Sequence, residues 1–267
     1  MARFGFIGCG SMGGTLAATV AKTSADAVLL SNHNPEKAAA LAQKTGGVCV
    51  SNDEIASKCR YIFLGVKPQM FADVLGKLAP ILKSRTDRFV LVSMAAGLTA
   101  DTVSSMAGGD YPVIRLMPNT PALVGQGVIL HCHNALVTED EIREIADVLS
   151  PAGIVDAISE QLIDAASAVS GCGPAFVYMF IEALADGGVK CGLPRAKALS
   201  YAAQTVLGSA EMVLSTGEHP GTLKDAVCSP KGSTIAGVAA LEEHSFRAAA
   251  MDAVVASFER TKELGKA

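Results

Sequence analysis

The chain has 267 residues, half of them hydrophobic and 18% charged, which is enough for two modest domains. Its net charge of −4 and pI of about 5.7 exclude the basic footprint of a nucleic-acid-binding protein, and its five histidines show no metal-ligand spacing. The longest apolar stretch, 176–185, is too short to cross a bilayer, no leader is visible, and seven scattered cysteines indicate free, mostly buried thiols. We therefore expect a cytoplasmic protein that contacts no membrane.

Residues 1–158 alternate short β-rich runs with helical patterns, which predicts βαβ units, a mainly parallel sheet and an α/β, Rossmann-like dinucleotide-binding domain. The predicted strands are 3–7, 27–31, 48–50, 61–65, 89–93, 113–117, 127–131 and 154–156. The predicted helices between them are 11–22, 35–44, 69–78 and 139–149.

A glycine-rich turn, Gly8-Cys9-Gly10-Ser11-Met12-Gly13, follows the first predicted strand and opens the first helix. In this context G-x-G-x-x-G is typical of a dinucleotide site. Gly8 suits the tight turn, and Gly10 allows the backbone to approach a pyrophosphate. We expect Gly8, Gly10, Ser11 and Met12 to bind the cofactor.

The second predicted strand ends in Ser31-Asn32-His33-Asn34 and carries no acidic residue. NAD-preferring folds usually place a carboxylate here to bond the ribose 2′-hydroxyl, and such a carboxylate would repel a 2′-phosphate. Asn32 and His33 offer hydrogen-bond donors instead. The pattern favours NADPH, with NADH as the alternative, and Asn52 is a further predicted cofactor residue.

Three later loops follow predicted parallel strands, whose carboxyl ends face the ligand crevice in such folds. They supply Val66, Lys67 and Pro68, then Ala96, then Asn119. Lys67 is either a cofactor contact or a surface lysine. Asn119 either faces the nicotinamide or belongs to a rigid turn between two prolines.

Residues 159–267 lose the strand signals and predict an all-α domain. Its predicted helices are 160–169, 174–191, 195–216, 220–227, 232–243 and 246–262. Their high apolar content predicts that the domain forms a dimer. We interpret Glu182 and Asp186 as a hydrophilic stripe at the subunit interface, and His219 as a residue that begins a helix.

The segment Ser229-Pro230-Lys231-Gly232-Ser233-Thr234 forms a turn between two of these helical patterns. Free backbone N–H groups at a helix start, together with hydroxyls, suit a small anion. The turn therefore predicts a small acidic substrate, bound through Ser229, Gly232, Ser233 and Thr234. For the hydroxyls of Ser229 and Thr234, helix capping is the alternative.

An ordered set of motifs spans the whole chain. It comprises Gly5-Phe6-Ile7-Gly8-Cys9-Gly10, Val66-Lys67-Pro68, Ala95-Ala96-Gly97, Met117-Pro118-Asn119-Thr120-Pro121, Ser170-Gly171-Cys172-Gly173-Pro174-Ala175, Ala185-Asp186-Gly187-Gly188-Val189-Lys190, Gly192-Leu193-Pro194-Arg195, His219-Pro220-Gly221-Thr222-Leu223-Lys224-Asp225 and Ser229-Pro230-Lys231-Gly232-Ser233-Thr234. In this set the chain resembles the pyrroline-5-carboxylate reductase family.

The resemblance implies a Rossmann domain over 1–158 and a helical dimerisation and substrate-binding domain over 159–267, assembled into homodimers and larger rings. It implies reduction of 1-pyrroline-5-carboxylate to L-proline with NAD(P)H, the last step of proline biosynthesis. It also implies that the substrate carboxylate lies on the backbone at the helix start and that Thr234, the candidate catalytic residue, lies beside the ring nitrogen. Lys231 departs from the family, which often has glycine there.

Three other functions remain open at this point. A β-hydroxyacid dehydrogenase shares the two-domain plan but uses a helical catalytic lysine, and neither Lys190 nor Lys197 fits that family's pattern. Another imine reductase of the same architecture, or a deazaflavin-dependent reductase, is the second alternative. The third, a non-catalytic NADP sensor, would not need the turn at 229–234.

Overall fold

The computed structural model describes residues 3–264, so residues 1–2 and 265–267 of the two predicted domains lie outside the described residues. By its internal contacts the chain forms two compact units. One runs to Cys172 and resumes at Ser257, and the other is Gly173–Ala256. The domain boundary between residues 158 and 159 stays a prediction. It was placed where the strand pattern of the sequence ends, whereas the two units are defined by contacts within the folded chain.

The first unit contains a single twisted sheet in which all eight predicted strands are present. The strands are β1 (Phe4–Ile7), β2 (Leu29–Ser31), β3 (Val48–Cys49), β4 (Tyr61–Leu64), β5 (Val90–Ser93), β6 (Val113–Met117), β7 (Gly127–His133) and β8 (Gly153–Ala157). Their order is β3-β2-β1-β4-β5-β6-β7-β8, and every neighbouring pair is parallel except β6 with β7. The order in which successive strands are added reverses between β1 and β4, and ligands bind at this point in open α/β folds.

The helices of this unit are α1 (Ser11–Thr23), α2 (Pro35–Thr45), α3 (Asn52–Lys58), α4 (Phe71–Ser84), α5 (Ala100–Met106), α6 (Glu139–Leu149) and α7 (Glu160–Ser170). The two helices that the sequence prediction missed, α3 and α5, have seven residues each. Each begins at a side-chain cap, since Ser51 accepts from the Glu54 N–H and Thr99 accepts from the Thr102 N–H.

Both faces of the sheet are buried at its centre, whereas the edge strands β3 and β8 are largely exposed. Along β1 and β4, Phe6 and Phe63 belong to one apolar cluster and Ile7 and Leu64 to the other. The Phe6 and Phe63 rings stack at 4.1 Å between centroids. Burial on both faces explains why these strands appear in the sequence as continuous apolar runs.

A buried arginine fastens α7 to the sheet. Arg115 on β6 is 2% exposed, and its Nη2 lies 2.5 Å from Asp164 Oδ1 on α7. Its Nη1 lies 3.8 Å from Glu160 Oε1, and the same oxygen accepts a hydrogen bond of 2.8 Å from the Ala100 N–H of α5. One charge cluster therefore joins β6, α5 and the first turns of α7.

The second unit consists of helices and buries little of its own surface. Its helices are α8 (Gly173–Lys190), α9 (Arg195–Thr216), α10 (Pro220–Ala226), α11 (Ser233–Glu243) and, through Ala256, the first part of α12 (Phe246–Leu264). The contact between α8 and α9 is formed by Ala185, Ala198 and Ala202. Large apolar side chains such as Tyr178, Met179 and Leu214 are 59%, 70% and 70% exposed in the single chain.

By length and composition alone, Glu160–Lys190 would suffice to cross a membrane. The sequence prediction that no stretch is long enough was therefore too strict, because it considered 176–185 alone. The stretch contains two helices, of which α7 ends at Ser170 and α8 begins at Gly173. In α7, Asp164 pairs with Arg115 of the sheet.

All seven cysteines are free thiols, as predicted. Their burial is mixed, which corrects the expectation that most are buried. Cys9, Cys59 and Cys132 are buried, whereas Cys49 and Cys191 are exposed on the single chain.

We expect Arg115→Ala to lower the free energy of unfolding by about 3 kcal/mol, because it leaves Asp164 without its partner in a mostly buried cluster. Urea denaturation followed by circular dichroism measures this. The matched control is Arg143→Ala, whose pair with Asp140 is 71% and 88% exposed and should contribute less than about 0.5 kcal/mol. Equal effects of the two substitutions would contradict the anchoring role of Arg115.

Candidate functional site

The glycine-rich turn after β1 has a backbone that only glycine can occupy. Gly8 has φ +98°, and a Cβ built on it would lie 2.6 Å from the carbonyl carbon of Gly65. A Cβ on Gly13 would collide with the Gly8 carbonyl oxygen. The turn therefore packs backbone against backbone, as a dinucleotide fingerprint requires.

The start of α1 lies open to a ligand. Gly10 is its N-terminal cap, has no side chain to cap the helix, and has no heavy atom within 4 Å of a Cβ built on it. The first backbone N–H groups of the 13-residue helix, including those of Ser11 and Met12, have no partner within the helix. An open helix start with free N–H groups fits a phosphate.

A cavity of about 390 Å³ lies at the end of β2 and brings together five of the predicted cofactor residues. These are Gly8, Asn32, His33, Asn52 and Val66. The other seven, Gly10, Ser11, Met12, Lys67, Pro68, Ala96 and Asn119, lie outside it in the first unit. Asp53, Asp73 and Lys77 also line the cavity, and sequence reasoning missed all three.

Asn32 connects the end of β2 to the glycine-rich turn. Its Oδ1 accepts from the Cys9 N–H at 3.0 Å, and its Nδ2 donates to the Asn34 carbonyl oxygen at 3.0 Å. The Asn32 amide therefore orients the turn, whereas the neighbouring His33 is exposed. Burial raises the pKa of the Cys9 thiol to about 11, so this thiol adds no negative charge to the turn at neutral pH.

The loops after β4 and β5 carry Lys67, Pro68 and Ala96. Lys67 is exposed and precedes a short 3₁₀ turn at Pro68–Met70. Ala96 is half-buried and is followed by Gly97, whose φ of +77° lets the backbone reverse there. The assignment of these three residues to the cofactor stays a prediction.

Asn119, after β6, has a structural role, as the alternative of a rigid turn allowed. The residue is 7% exposed. Its Nδ2 donates to the Ser170 carbonyl oxygen at 2.8 Å, and its Oδ1 accepts from the Val128 N–H at 2.9 Å. The side chain thus holds the last turn of α7 and the start of β7, and a cofactor contact of Asn119 stays a prediction.

In the second unit, the turn between α10 and α11 closes on a hydrogen bond of 3.0 Å from the Gly232 N–H to the Ser229 carbonyl oxygen. A Cβ on Gly232 would collide with Ser229 Oγ. Lys231 has φ +61°, in the left-handed region that favours glycine. Backbone conformation therefore explains why glycine is common at this position in the family that the sequence resembles.

The start of α11 has the form expected of a small-anion site. Gly232 is its N-terminal cap, and no side chain caps the helix, so Ser229 and Thr234 do not serve as its caps. The Thr234 side chain is exposed on the single chain. The N–H groups of Ser233 and Thr234 lie in the first turn, where a helix supplies no carbonyl partner.

Two interpretations of polar residues outside the turn can be compared with the structure. His219 begins α10, and its Nδ1 accepts from the Gly221 N–H at 3.0 Å, which confirms its predicted helix-start role. Asp186 forms an ion pair with Arg195. In the described residues, no group of three or more His, Cys, Asp or Glu side chains could hold a metal ion.

Two family models match the chain. The one described as pyrroline-5-carboxylate reductase dimerisation covers residues 160–264, and the one described as NADP oxidoreductase coenzyme F420-dependent covers 3–97. Together they confirm the predicted order of a Rossmann-like domain and a helical dimerisation domain.

Curated relatives match over nearly their full length. Pyrroline-5-carboxylate reductase of Escherichia coli (strain K12) is 42% identical over 269 residues, which cover 99% of this chain and 98% of the relative. The enzyme of that name from Pisum sativum is 41% identical, with coverages of 97% and 95%.

Solved structures agree with these relatives. The crystal structure of Plasmodium falciparum pyrroline carboxylate reductase with NADP bound superposes with a TM-score of 0.88 at 35% identity, covering 99% of this chain and 98% of that one. The enzyme from Streptococcus pyogenes gives 0.88 at 32% identity, with 98% of both chains covered. Prephenate dehydrogenase from Aquifex aeolicus, with a TM-score of 0.53 at 14% identity, shares the fold alone. The chain belongs to the pyrroline-5-carboxylate reductase family.

Proposed function

We propose that this protein reduces 1-pyrroline-5-carboxylate to L-proline with NAD(P)H, the last step of proline biosynthesis. The observation that carries this conclusion is the 42% identity to the Escherichia coli enzyme of that activity over 99% of the chain. The open glycine-rich turn at the start of α1 supports it, because a Cβ at Gly8 or Gly13 would destroy the cradle for a pyrophosphate.

The reaction places few acid–base demands on the protein. A cyclic imine is readily protonated near neutral pH, and its iminium form accepts a hydride at ring carbon C5. When bound, NAD(P)H supplies that hydride from C4 of its nicotinamide, and the electron pair of the C=N bond then remains on nitrogen as the ring amine. The chain must hold both partners at short distance and fix the substrate carboxylate.

The cofactor roles that we propose lie in the first unit. Backbone N–H groups of Gly10, Ser11 and Met12 bind the pyrophosphate, with Gly8 making room for it. Asn32, His33, Asn52 and Val66 line the adenosine side, and Lys67, Pro68, Ala96 and Asn119 lie in loops that follow strands of the same sheet edge. The absence of a carboxylate at the end of β2 supports a preference for NADPH over NADH.

The substrate roles that we propose lie in the turn before α11. The backbone N–H groups of Ser233 and Thr234 hold the carboxylate, while Ser229 and Gly232 shape the turn. Thr234 Oγ1 bonds the ring nitrogen, orients the imine and relays a proton from solvent water to that nitrogen. The uncapped helix start supports these roles, because its N–H groups lack partners within the helix.

The assembly follows from the helical unit. The exposed apolar side chains of α8 and α9 support a homodimer, and dimers assemble into a larger ring. The net charge of −4 supports a protein without a nucleic-acid partner. We place the enzyme in the cytoplasm, without a membrane contact.

We expect the purified protein to consume NADPH when 1-pyrroline-5-carboxylate is added, followed as loss of NADPH absorbance, with proline as the product by chromatography. The control is NADP with a 3-hydroxyacid, which a β-hydroxyacid dehydrogenase would oxidise. Turnover in the control alone would overturn the proposed function in favour of that class.

Thr234→Ala should lower kcat about a hundredfold, because the hydroxyl acts where the ring nitrogen changes its bonding. The Kd for NADPH, measured by fluorescence titration, should change little. Thr234→Ser keeps the hydroxyl and should retain most of the activity. Thr205→Ala, which removes an exposed hydroxyl bonded to its own helix, is the matched control. Unchanged kcat in Thr234→Ala removes this residue from the mechanism.

Lys231→Gly should raise the free energy of unfolding by about 1 kcal/mol, because it relieves a left-handed conformation that disfavours a Cβ. Lys231→Ala removes the same charge but keeps the Cβ, so it should give no such gain. Urea denaturation compares the two, and equal stability would contradict the strain. Both variants lack the Lys231 ammonium group, so a rise in substrate KM that they share measures the contribution of this group to substrate binding.

A further inference from the structure

The cavity at the end of β2 contains a cation that comes from a distant part of the chain. Lys77 of α4 lines the same cavity as Asn32 and His33, more than forty residues earlier in the sequence. Among the described residues that line this cavity, Lys77 is the only lysine or arginine. It therefore supplies the permanent positive charge that the end of β2 itself lacks.

The present partner of Lys77 holds it weakly. Its Nζ lies 2.9 Å from Asp73 Oδ2, one helical turn earlier on α4, and the two side chains are 73% and 66% exposed. An exposed pair at this spacing contributes little to stability, because water screens both charges. The long lysine side chain can exchange such a partner for a stronger anion at small cost.

A phosphate on the ribose would be such an anion. The 2′ position of the adenosine ribose lies at the end of the second strand in dinucleotide-binding folds, where this chain has Ser31, Asn32 and His33. These side chains carry no acidic group to repel it. A phosphate dianion attracts an ammonium group more strongly than a single carboxylate does.

We propose that Lys77 determines the cofactor specificity of this enzyme by leaving Asp73 to pair with the 2′-phosphate of NADPH. The inference rests on the proposed NADPH preference and names the residue that causes it. Asp73 then acts as a competitor that lowers the affinity for NADPH. Asp53, a second carboxylate of the cavity wall, lies in the first turn of α3. Its negative charge lowers the affinity for the 2′-phosphate, whereas Lys77 raises it.

The test is a set of fluorescence titrations of the full-length protein with NADPH and with NADH. Lys77→Met should weaken NADPH binding about fivefold and leave NADH binding unchanged, because only NADPH carries the 2′-phosphate. Asp73→Asn should tighten NADPH binding, because it frees Lys77. Lys77→Arg should retain the wild-type ratio of the two dissociation constants.

The matched control is Lys83→Met, which removes an exposed lysine from the last turn of the same helix, outside the cavity. It should change neither dissociation constant. Added salt should weaken NADPH binding more in the wild type than in Lys77→Met, since the wild type has one more ion pair to screen.

Two results would overturn the role of Lys77. In one, Lys77→Met changes neither the NADPH nor the NADH dissociation constant, and in the other it raises both constants by the same factor, so that their ratio stays the same. The wild-type ratio tests the proposed preference separately. A ratio near one, combined with a selective loss in Lys77→Met, would reject the preference and support the lysine contact.

Discussion

Backbone contact between Gly8 and Gly65 is the constraint on which the cofactor-binding unit depends. Because no Cβ fits at this contact, the turns that follow β1 and β4 lie directly against each other. The same exclusion at Gly13 lets α1 begin close to the sheet edge. Three elements thus present main-chain groups at the point where the strand order reverses, and the pyrophosphate site is formed largely without side chains.

The fold was largely predictable because its strongest signals are local. The strands appear as short apolar or β-branched runs between turn residues, and all eight were found, including the exposed β3 and β8. The helices α3 and α5 were missed because seven residues are too few to display a helical period and no proline marks their start, as Pro220 marks the start of the equally short α10. Their caps, Ser51 and Thr99, were the available signal. The antiparallel direction of β7 depends on the path of a loop, which sequence pattern does not encode.

In the site, too, the residues whose roles depend on local sequence were predictable, and those whose roles depend on tertiary structure were not. Gly8 and Gly10 could be assigned because their roles follow from the conformation of the chain around them. Lys77 could not be assigned from the sequence, because its proposed role depends on α4 lying beside the end of β2 in the folded chain. Asn119 shows the opposite case. Its motif predicted a cofactor contact, but its buried amide forms hydrogen bonds with Ser170 and Val128.

The sparse interior of the helical unit ties its folding to protein concentration. Within the described range Gly173–Ala256, the single chain buries only Ala185, Ala198 and Ala202. Burying three small side chains removes too little apolar surface from water to offset the conformational entropy that is lost when these residues become ordered. Association supplies the remainder, so we expect subunit exchange to involve partial unfolding and the thermal midpoint to rise with protein concentration.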